Sequence, residues 1–167
     1  MRYSPAAAAL ALLAAVSSSV SYGADYEPDP LAAALVAAGK AKLQAGDTQG
    51  ATDQFEAALT VDPGYSAIYL DLAEAARVEG LQGKAIHYYR EAQERDPDNF
   101  AAISGEGEAL LEKGALEKAR VNLSKLESLC GESCAETRQL AAAIANDSRS
   151  MVLTAEAVTP EPVITQN

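Results

Sequence analysis

The chain changes its hydrophobic pattern twice. An unbroken apolar run of eleven residues, Ala6 to Val16, follows Met1 and Arg2, and a small and polar stretch from Ser17 to Ala24 succeeds it, broken only by Val20 and Tyr22. From residue 30 to about residue 146 the chain reads as helices separated by short breaks at Gly, Pro and Asp. Beyond that, Thr154, Thr159, Pro160, Pro162 and Thr165 occur without a helical apolar period. This predicts a mostly disordered tail over 147–167. Residues 24–29 read as a short flexible lead.

The middle stretch repeats itself without gaps at a shift of 34 residues, which stacks Gly46 on Gly80 and Gly114, and Ala51 on Ala85 and Ala119. In the same register Leu35, Tyr69 and Ile103 align, as do Gly39, Ala73 and Gly107; Phe55, Tyr89 and Leu123; Ala58, Ala92 and Leu126; and Pro63, Pro97 and Gly131. Each unit is a helix, a turn carrying the glycine, a second helix and a Pro or Gly stop, so each is a helical hairpin. Small residues let the paired helices approach closely, and Phe55, Tyr89 and Leu123 are placed to fill the space between hairpins. Asp29 before Pro30 reads as an N-cap and first helical residue. Ser133-Cys134-Ala135-Glu136 is a capping-box pattern that starts a seventh helix over about 134–145. Leu140 and Ile144, at i and i+4, would cover the open apolar end of the third hairpin.

The period and the small, small, aromatic, small, Pro order resemble the tetratricopeptide repeat, or TPR, and Asp62-Pro63-Gly64-Tyr65 and Asp96-Pro97-Asp98-Asn99 look like its repeat ending. The resemblance implies an all-α fold: a right-handed α-solenoid of three TPR hairpins over 32–65, 66–99 and 100–133, plus the capping helix, within a domain of residues 30–146. Three positions depart from the family pattern. Lys42 stands where an aromatic is usual, Glu106 where a leucine-like residue is usual, and Gly131 in place of the closing Pro.

The N-terminal run predicts a secretory signal over residues 1–23, with Ser21 and Gly23 as the small residues before a cut at Ala24. Eleven helical residues rise only about 16 Å, short of the roughly 30 Å needed to span a membrane. No Cys precedes Cys130, so a lipoprotein attachment site is missing and no stable membrane insertion is expected after cleavage. Export to the periplasm, or secretion, is the expected location. Composition supports helices, with 36 Ala and no Trp in 167 residues. A formal charge of −11 argues against nucleic acid, because phosphate binding needs a basic surface.

Catalytic groupings are sparse. His87 is the one His and reads as a surface side chain. Gly80-Leu81-Gln82-Gly83-Lys84 lacks the spacing and the preceding strand of a phosphate loop, and Gly105-Glu106-Gly107 is too short for a dinucleotide fingerprint. Glu106, Glu108 and Glu112, like Glu127, Glu132 and Glu136, are spaced as solvated faces and turns. No enzyme activity, cofactor or metal is expected. Cys130 and Cys134, in an exported protein, point to a disulfide. A break between them at Gly131 and Ser133 is required, because an intact helix holds i and i+4 Cβ atoms too far apart to bridge. The Leu-Cys-x3-Cys segment before an alanine-rich last helix is similar to small exported bacterial TPR proteins.

Ligands of TPR proteins usually lie in the concave groove built by the first helix of each repeat. Carried over by position, the groove comprises Ala33, Val36, Lys40, Leu43 and Gln44 in repeat one; Ala67, Leu70, Glu74, Arg77 and Val78 in repeat two; and Ala101, Ser104, Glu108, Leu111 and Glu112 in repeat three. The family's Lys/Arg/Asn clamp for a terminal carboxylate is absent. Lys40 and Arg77 read as solvent-facing groove cations, and Arg77→Glu is expected to weaken partner capture at little cost in stability. The function these features imply is a non-catalytic scaffold or adaptor that takes a peptide or helical segment of an unknown protein partner into the groove. Two alternatives remain open: a thiol-disulfide or thiol-metal protein acting through Cys130 and Cys134, which counting free thiols would reveal, and a structural self-assembly module, which ultracentrifugation would reveal.

Overall fold

In the computed structural model, residues 26–157 are described, with side chains to residue 147. The predicted signal region and residues 158–167 of the predicted tail lie outside them. The chain forms α1 (Pro30–Gln44), α2 (Thr48–Val61), α3 (Ala67–Val78), α4 (Gln82–Arg95), α5 (Phe100–Glu112), α6 (Leu116–Cys130) and α7 (Ala135–Ala157), with no strand among the described residues. Helices pair as α1/α2, α3/α4 and α5/α6, successive pairs stack, and α7 packs on α5 and α6. The first helices of the hairpins also touch in sequence, α1 with α3 and α3 with α5, so they line one face of the stack.

The glycine column has a backbone cause. Gly46, Gly80 and Gly114 hold φ of +81°, +74° and +79°, which side-chain-bearing residues rarely adopt. After α1, the Gly46 N–H donates to the Leu43 carbonyl at 3.0 Å and the Asp47 N–H to the Lys42 carbonyl at 2.9 Å. The same crossed pair follows α3 and α5, so three Schellman motifs turn the three hairpins. Starts are capped by side chains: Asp29 accepts from Leu31 N–H at 2.8 Å, Asp47 from Gly50 N–H at 2.9 Å and Asn99 from Ala102 N–H at 3.0 Å.

Two apolar clusters fill the interior. One joins α1 to α3 around Phe55, Ile68 and Leu72; the other runs from α3 to α7 around Ile103, Leu126 and Leu140. Small residues are required where large ones arrive. A Cβ on Gly39 would lie 2.5 Å from the Phe55 ring, and one on Gly107 would lie 2.6 Å from a Leu140 methyl. The column of Gly39 and Gly107 thus marks where an aromatic of α2 and the capping helix press against a first helix.

Several expectations change. α7 begins at Ala135 rather than in a capping box at Ser133, so Cys134 takes the N-cap place and Glu136 the second helical position. The helix also runs past Asn146 and Asp147 to Ala157, into the region expected as tail. Those two residues are only weakly unfavourable in a helix, whereas the first true breaker ahead is Pro160. Residues 26–29 of the lead are fastened, since the Tyr26 hydroxyl donates to Asp62 and the Asp29 N–H donates to Asp62 Oδ2 at 2.9 Å. Glu106 is buried instead of solvated. Arg90 Nε at 2.7 Å, Gln93 Nε2 at 2.9 Å and Asn122 Nδ2 at 3.2 Å donate to its carboxylate, so the departure from leucine is made good by three donors from the helices on either side.

Candidate functional site

The face lined by α1, α3 and α5 carries most of the groove positions, but burial divides them. Lys40, Gln44, Glu74, Val78 and Glu112 are exposed, and Leu43 and Leu70 are half-buried on the core clusters. Val36 lies in the core beside Phe55, and Leu111 and Ser104 are almost covered. The Ser104 hydroxyl donates to the Glu136 carbonyl at 3.2 Å, so α7 closes this end of the face.

The two cations are engaged in ion pairs that cross from one repeat to the next. Lys40 on α1 pairs with Asp71 on α3 at 3.3 Å. Burial pushes the Asp71 carboxyl above its ordinary value, with Lys40 opposing. Arg77 on α3 meets Glu108 at 2.9 Å and Glu112 at 2.5 Å on α5, and Glu74 on its own helix at 3.4 Å. Its side chain is 18% exposed and that of Glu108 13%. Burial opposes the charge on Arg77, yet hydrogen bonds with Glu112 and with the Tyr89 hydroxyl outweigh it and raise the guanidinium above its ordinary value. Arg77 is therefore the hub of a carboxylate cluster and not the solvent-facing cation that the spacing predicted. The linear pattern shows that Arg77 and Glu112 occupy groove positions on helices one repeat apart, but not that the helices approach closely enough to join them.

Two cavities flank this hub. One of about 250 Å³ is lined by Arg77, Glu108, Leu111, Glu112, Ala143 and Asp147. The other, of about 200 Å³, shares Arg77 and Glu108 and adds Glu74, Tyr89, Ser104, Glu136 and Gln139 among its walls. α7 thus supplies Glu136, Gln139, Ala143 and Asp147, none of which the carry-over included. Their signal in the sequence is the step of three or four residues that places them beside the Leu140 and Ile144 stripe. Gln139 Nε2 donates to Glu108 Oε1 at 2.6 Å, so Glu108 is bonded on both oxygens. Asp147 Oδ2 is shielded from solvent and has no hydrogen-bond partner among the described residues.

Cys130 and Cys134 are joined by a disulfide with Cα atoms 5.8 Å apart. α6 ends at Cys130 and Gly131 follows with φ +85°, which supplies the helix break that bridging demands. The buried Thr137 hydroxyl lies 3.4 Å from the Cys130 sulfur, tying the first turn of α7 to the bridge. Among the described residues no group of three or more His, Cys, Asp or Glu side chains is arranged to hold a metal ion. None of the described helices is long and apolar enough to cross a membrane. His87 is exposed, its ring 5.6 Å from that of Tyr88.

Stacked hairpins with a glycine turn every 34 residues and a covering last helix define an all-α repeat solenoid. The chain belongs to the tetratricopeptide repeat family, whose profile matches residues 36–100 and 83–123. No curated protein matches it in sequence. Among solved structures, the Sgt2 TPR domain from Aspergillus fumigatus is similar with a TM-score of 0.67 and 19% identity, over 84% of this chain and 91% of that one. The Yersinia enterocolitica type III secretion chaperone SycD, in complex with a peptide of the translocator YopD, gives 0.61 and 23%, over 74% and 93%. The first TPR of Spaghetti (RPAP3), bound to the HSP90 peptide SRMEEVD, gives 0.63 and 18%, over 73% and 94%. At these identities the likeness carries the fold.

Proposed function

We propose that this protein is a non-catalytic binding scaffold that takes an extended or helical segment of a partner protein against the face formed by α1, α3 and α5. The observation that carries the reading is the pair of adjoining cavities on that face, walled at one end by α7. Structures of the same fold hold peptides, the YopD segment on SycD and the HSP90 peptide on RPAP3, which supports a peptide-sized occupant here. The site of action we propose is the periplasm, after removal of residues 1–23. The joined cysteines fit an oxidising compartment.

The test is a display selection of random twelve-residue peptides on the oxidised, exported protein, followed by hydrogen exchange of the complex. Protection should rise in α3 and α5, and Val78→Asp, at an exposed position, should weaken capture while leaving melting within about 0.5 kcal/mol of the parent. Protection confined to α2, α4 and α6 would overturn the assignment of the face. Mass spectrometry of the exported chain should find Ala24 at its N-terminus, and retention of residues 1–23 would contradict the proposed processing.

A further inference from the structure

The bridge between Cys130 and Cys134 stands at the root of the helix that walls both cavities. From the bridge onward α7 is seated on α5: the Ser104 hydroxyl donates to the Glu136 carbonyl at 3.2 Å, Gln139 Nε2 donates to Glu108 Oε1 at 2.6 Å, and Leu140 fills the space left at Gly107. Glu136 and Gln139 line one cavity, and Ala143 and Asp147 line the other. The surroundings of the two sulfurs suit thiols better than a disulfide. Glu136 Oε2 lies 3.0 Å from Cys134 Sγ, and a bridged sulfur has no proton to share with a carboxylate. The Thr137 hydroxyl, 3.4 Å from Cys130 Sγ, sets a donor against the other sulfur. Once freed, Cys134 gains an acceptor in Glu136 and a Cys130 thiolate gains a donor in Thr137. Both cysteines are partly exposed, which opens the bond to an attacking thiolate.

Resting on the reading of this face as a partner-binding surface, we propose that Cys130 and Cys134 are a reversible redox switch for it. The disulfide holds α7 as the wall of the cavities, and the reduced pair releases it. The reductant is a dithiol. Its first thiolate bonds to Cys134 Sγ as the Cys130–Cys134 bond breaks, and Cys130 leaves as a thiolate beside the Thr137 hydroxyl. The second thiolate of the reductant then bonds to the first and frees Cys134. Two electrons pass to the protein, the reductant becomes a disulfide, and its two protons end on Cys130 and Cys134. Reduction thus gives Glu136 a donor and removes the covalent tie that seats the first turn of α7. Glu136 links the sulfurs to the cavity, because its carboxylate meets Cys134 while its carbonyl holds Ser104 of α5.

The test begins with the folded protein equilibrated against graded mixtures of reduced and oxidised dithiothreitol, with free thiols counted by alkylation and mass spectrometry. The bridge should open while circular dichroism keeps most of the helical signal. Glu136→Gln should shift the equilibrium about fivefold toward the disulfide, because an amide is a weaker acceptor for the freed thiol than a carboxylate. A purely structural part for Glu136, in the first turn of α7, predicts the opposite sign: losing a charge that favours the helix start loosens α7 and eases reduction. The tightest cysteine-free peptide from the selection above, fluorescently labelled and titrated by anisotropy, should bind the reduced protein about tenfold more weakly than the oxidised. Cys130→Ser with Cys134→Ser should bind like the reduced form, with or without dithiothreitol. If thiols appear only where urea unfolds the domain, or if the peptide binds both states equally, the switch is overturned and the scaffold function stands. An equilibrium that Glu136→Gln leaves unchanged or moves toward the thiols would overturn the link through Glu136. If no peptide protects this face, the scaffold function falls and its switch with it.

Discussion

Arg77→Glu separates a groove cation that waits for a partner from a hub that holds two repeats together. For a solvent-facing residue the change would cost within about 0.5 kcal/mol. The structure gives a larger figure. Removing one member of a fully buried ion pair costs about 3–5 kcal/mol because the other charge is left uncompensated. Arg77 and Glu108 are 18% and 13% exposed, while Glu112 and Glu74 are 38% and 51% exposed and can turn to water. Loss of the guanidinium is therefore worth about 2 kcal/mol, most of it from Glu108. A fourth carboxylate among the three adds about 1 kcal/mol of repulsion at surface-like screening. The expected destabilisation is about 3 kcal/mol for Arg77→Glu and about 2 kcal/mol for Arg77→Met, measured by urea unfolding followed by circular dichroism. Added salt should recover part of the first and little of the second. A cycle of Arg77→Met with Glu108→Gln should show a coupling of about 1 kcal/mol or more. If Arg77→Glu unfolds at the same urea concentration as the parent, the hub is not formed in solution and the exposed-cation picture is restored.

Phe55→Ala, at a fully buried position, should cost about 3–5 kcal/mol and shift unfolding of the whole domain, whereas Leu140→Ala should cost about 2–5 kcal/mol and release α7 first in hydrogen exchange. Equal loss of protection in α1 and α7 for both variants would contradict two separate clusters. Reducing the Cys130–Cys134 bridge removes a closure of five residues, worth about 2 kcal/mol on the chain-entropy model, and should loosen α7 while α1 to α4 keep their protection. Loss of protection throughout would show that the bridge supports more than its own junction. Tyr26 has its pKa pushed up to about 12 by its hydrogen bond to Asp62, so the phenol fastens the lead fully below pH 10, and the contribution is lost as pH rises through about 12. Asp62 is held below 3.8 by the same bond, so in acid the contact is lost as pH falls through that lowered value. A tyrosinate difference titration against Tyr26→Phe should show the high midpoint in the parent and its return toward 10 in Asp62→Asn; a Tyr26 midpoint near 10 in the parent would contradict the contact.

Features that depend on a few neighbouring residues were legible in the chain alone. The Gly46, Gly80 and Gly114 turns need positive φ, Asp29 caps its own helix, and the short Cys130 to Cys134 spacing demands a break that Gly131 provides. Each is a local constraint on backbone or short-range geometry, so the 34-residue period and the hairpins follow from residue order. The end of α7 was less legible because Asn146 and Asp147 only weakly disfavour a helix, and weak local preferences do not set a boundary.

Which polar groups meet across repeats was decided by packing. Val36, Ser104 and Leu111 sit at groove positions by periodicity, yet neighbouring side chains and α7 cover them. Glu106 looks solvated by spacing and is enclosed by donors from α4 and α6. Arg77 and Glu112 stand 35 positions apart and become partners because α3 and α5 lie side by side. Asp147 reaches the same cavity because Leu140 seats α7 against Gly107. Residue order determined the repeating helical hairpins and their turns, while the joining of Arg77 to Glu108 and Glu112 exists only in the folded chain. The reason is physical: helix and turn formation act within about four residues, whereas burial and charge pairing depend on distances through space that stacking alone sets.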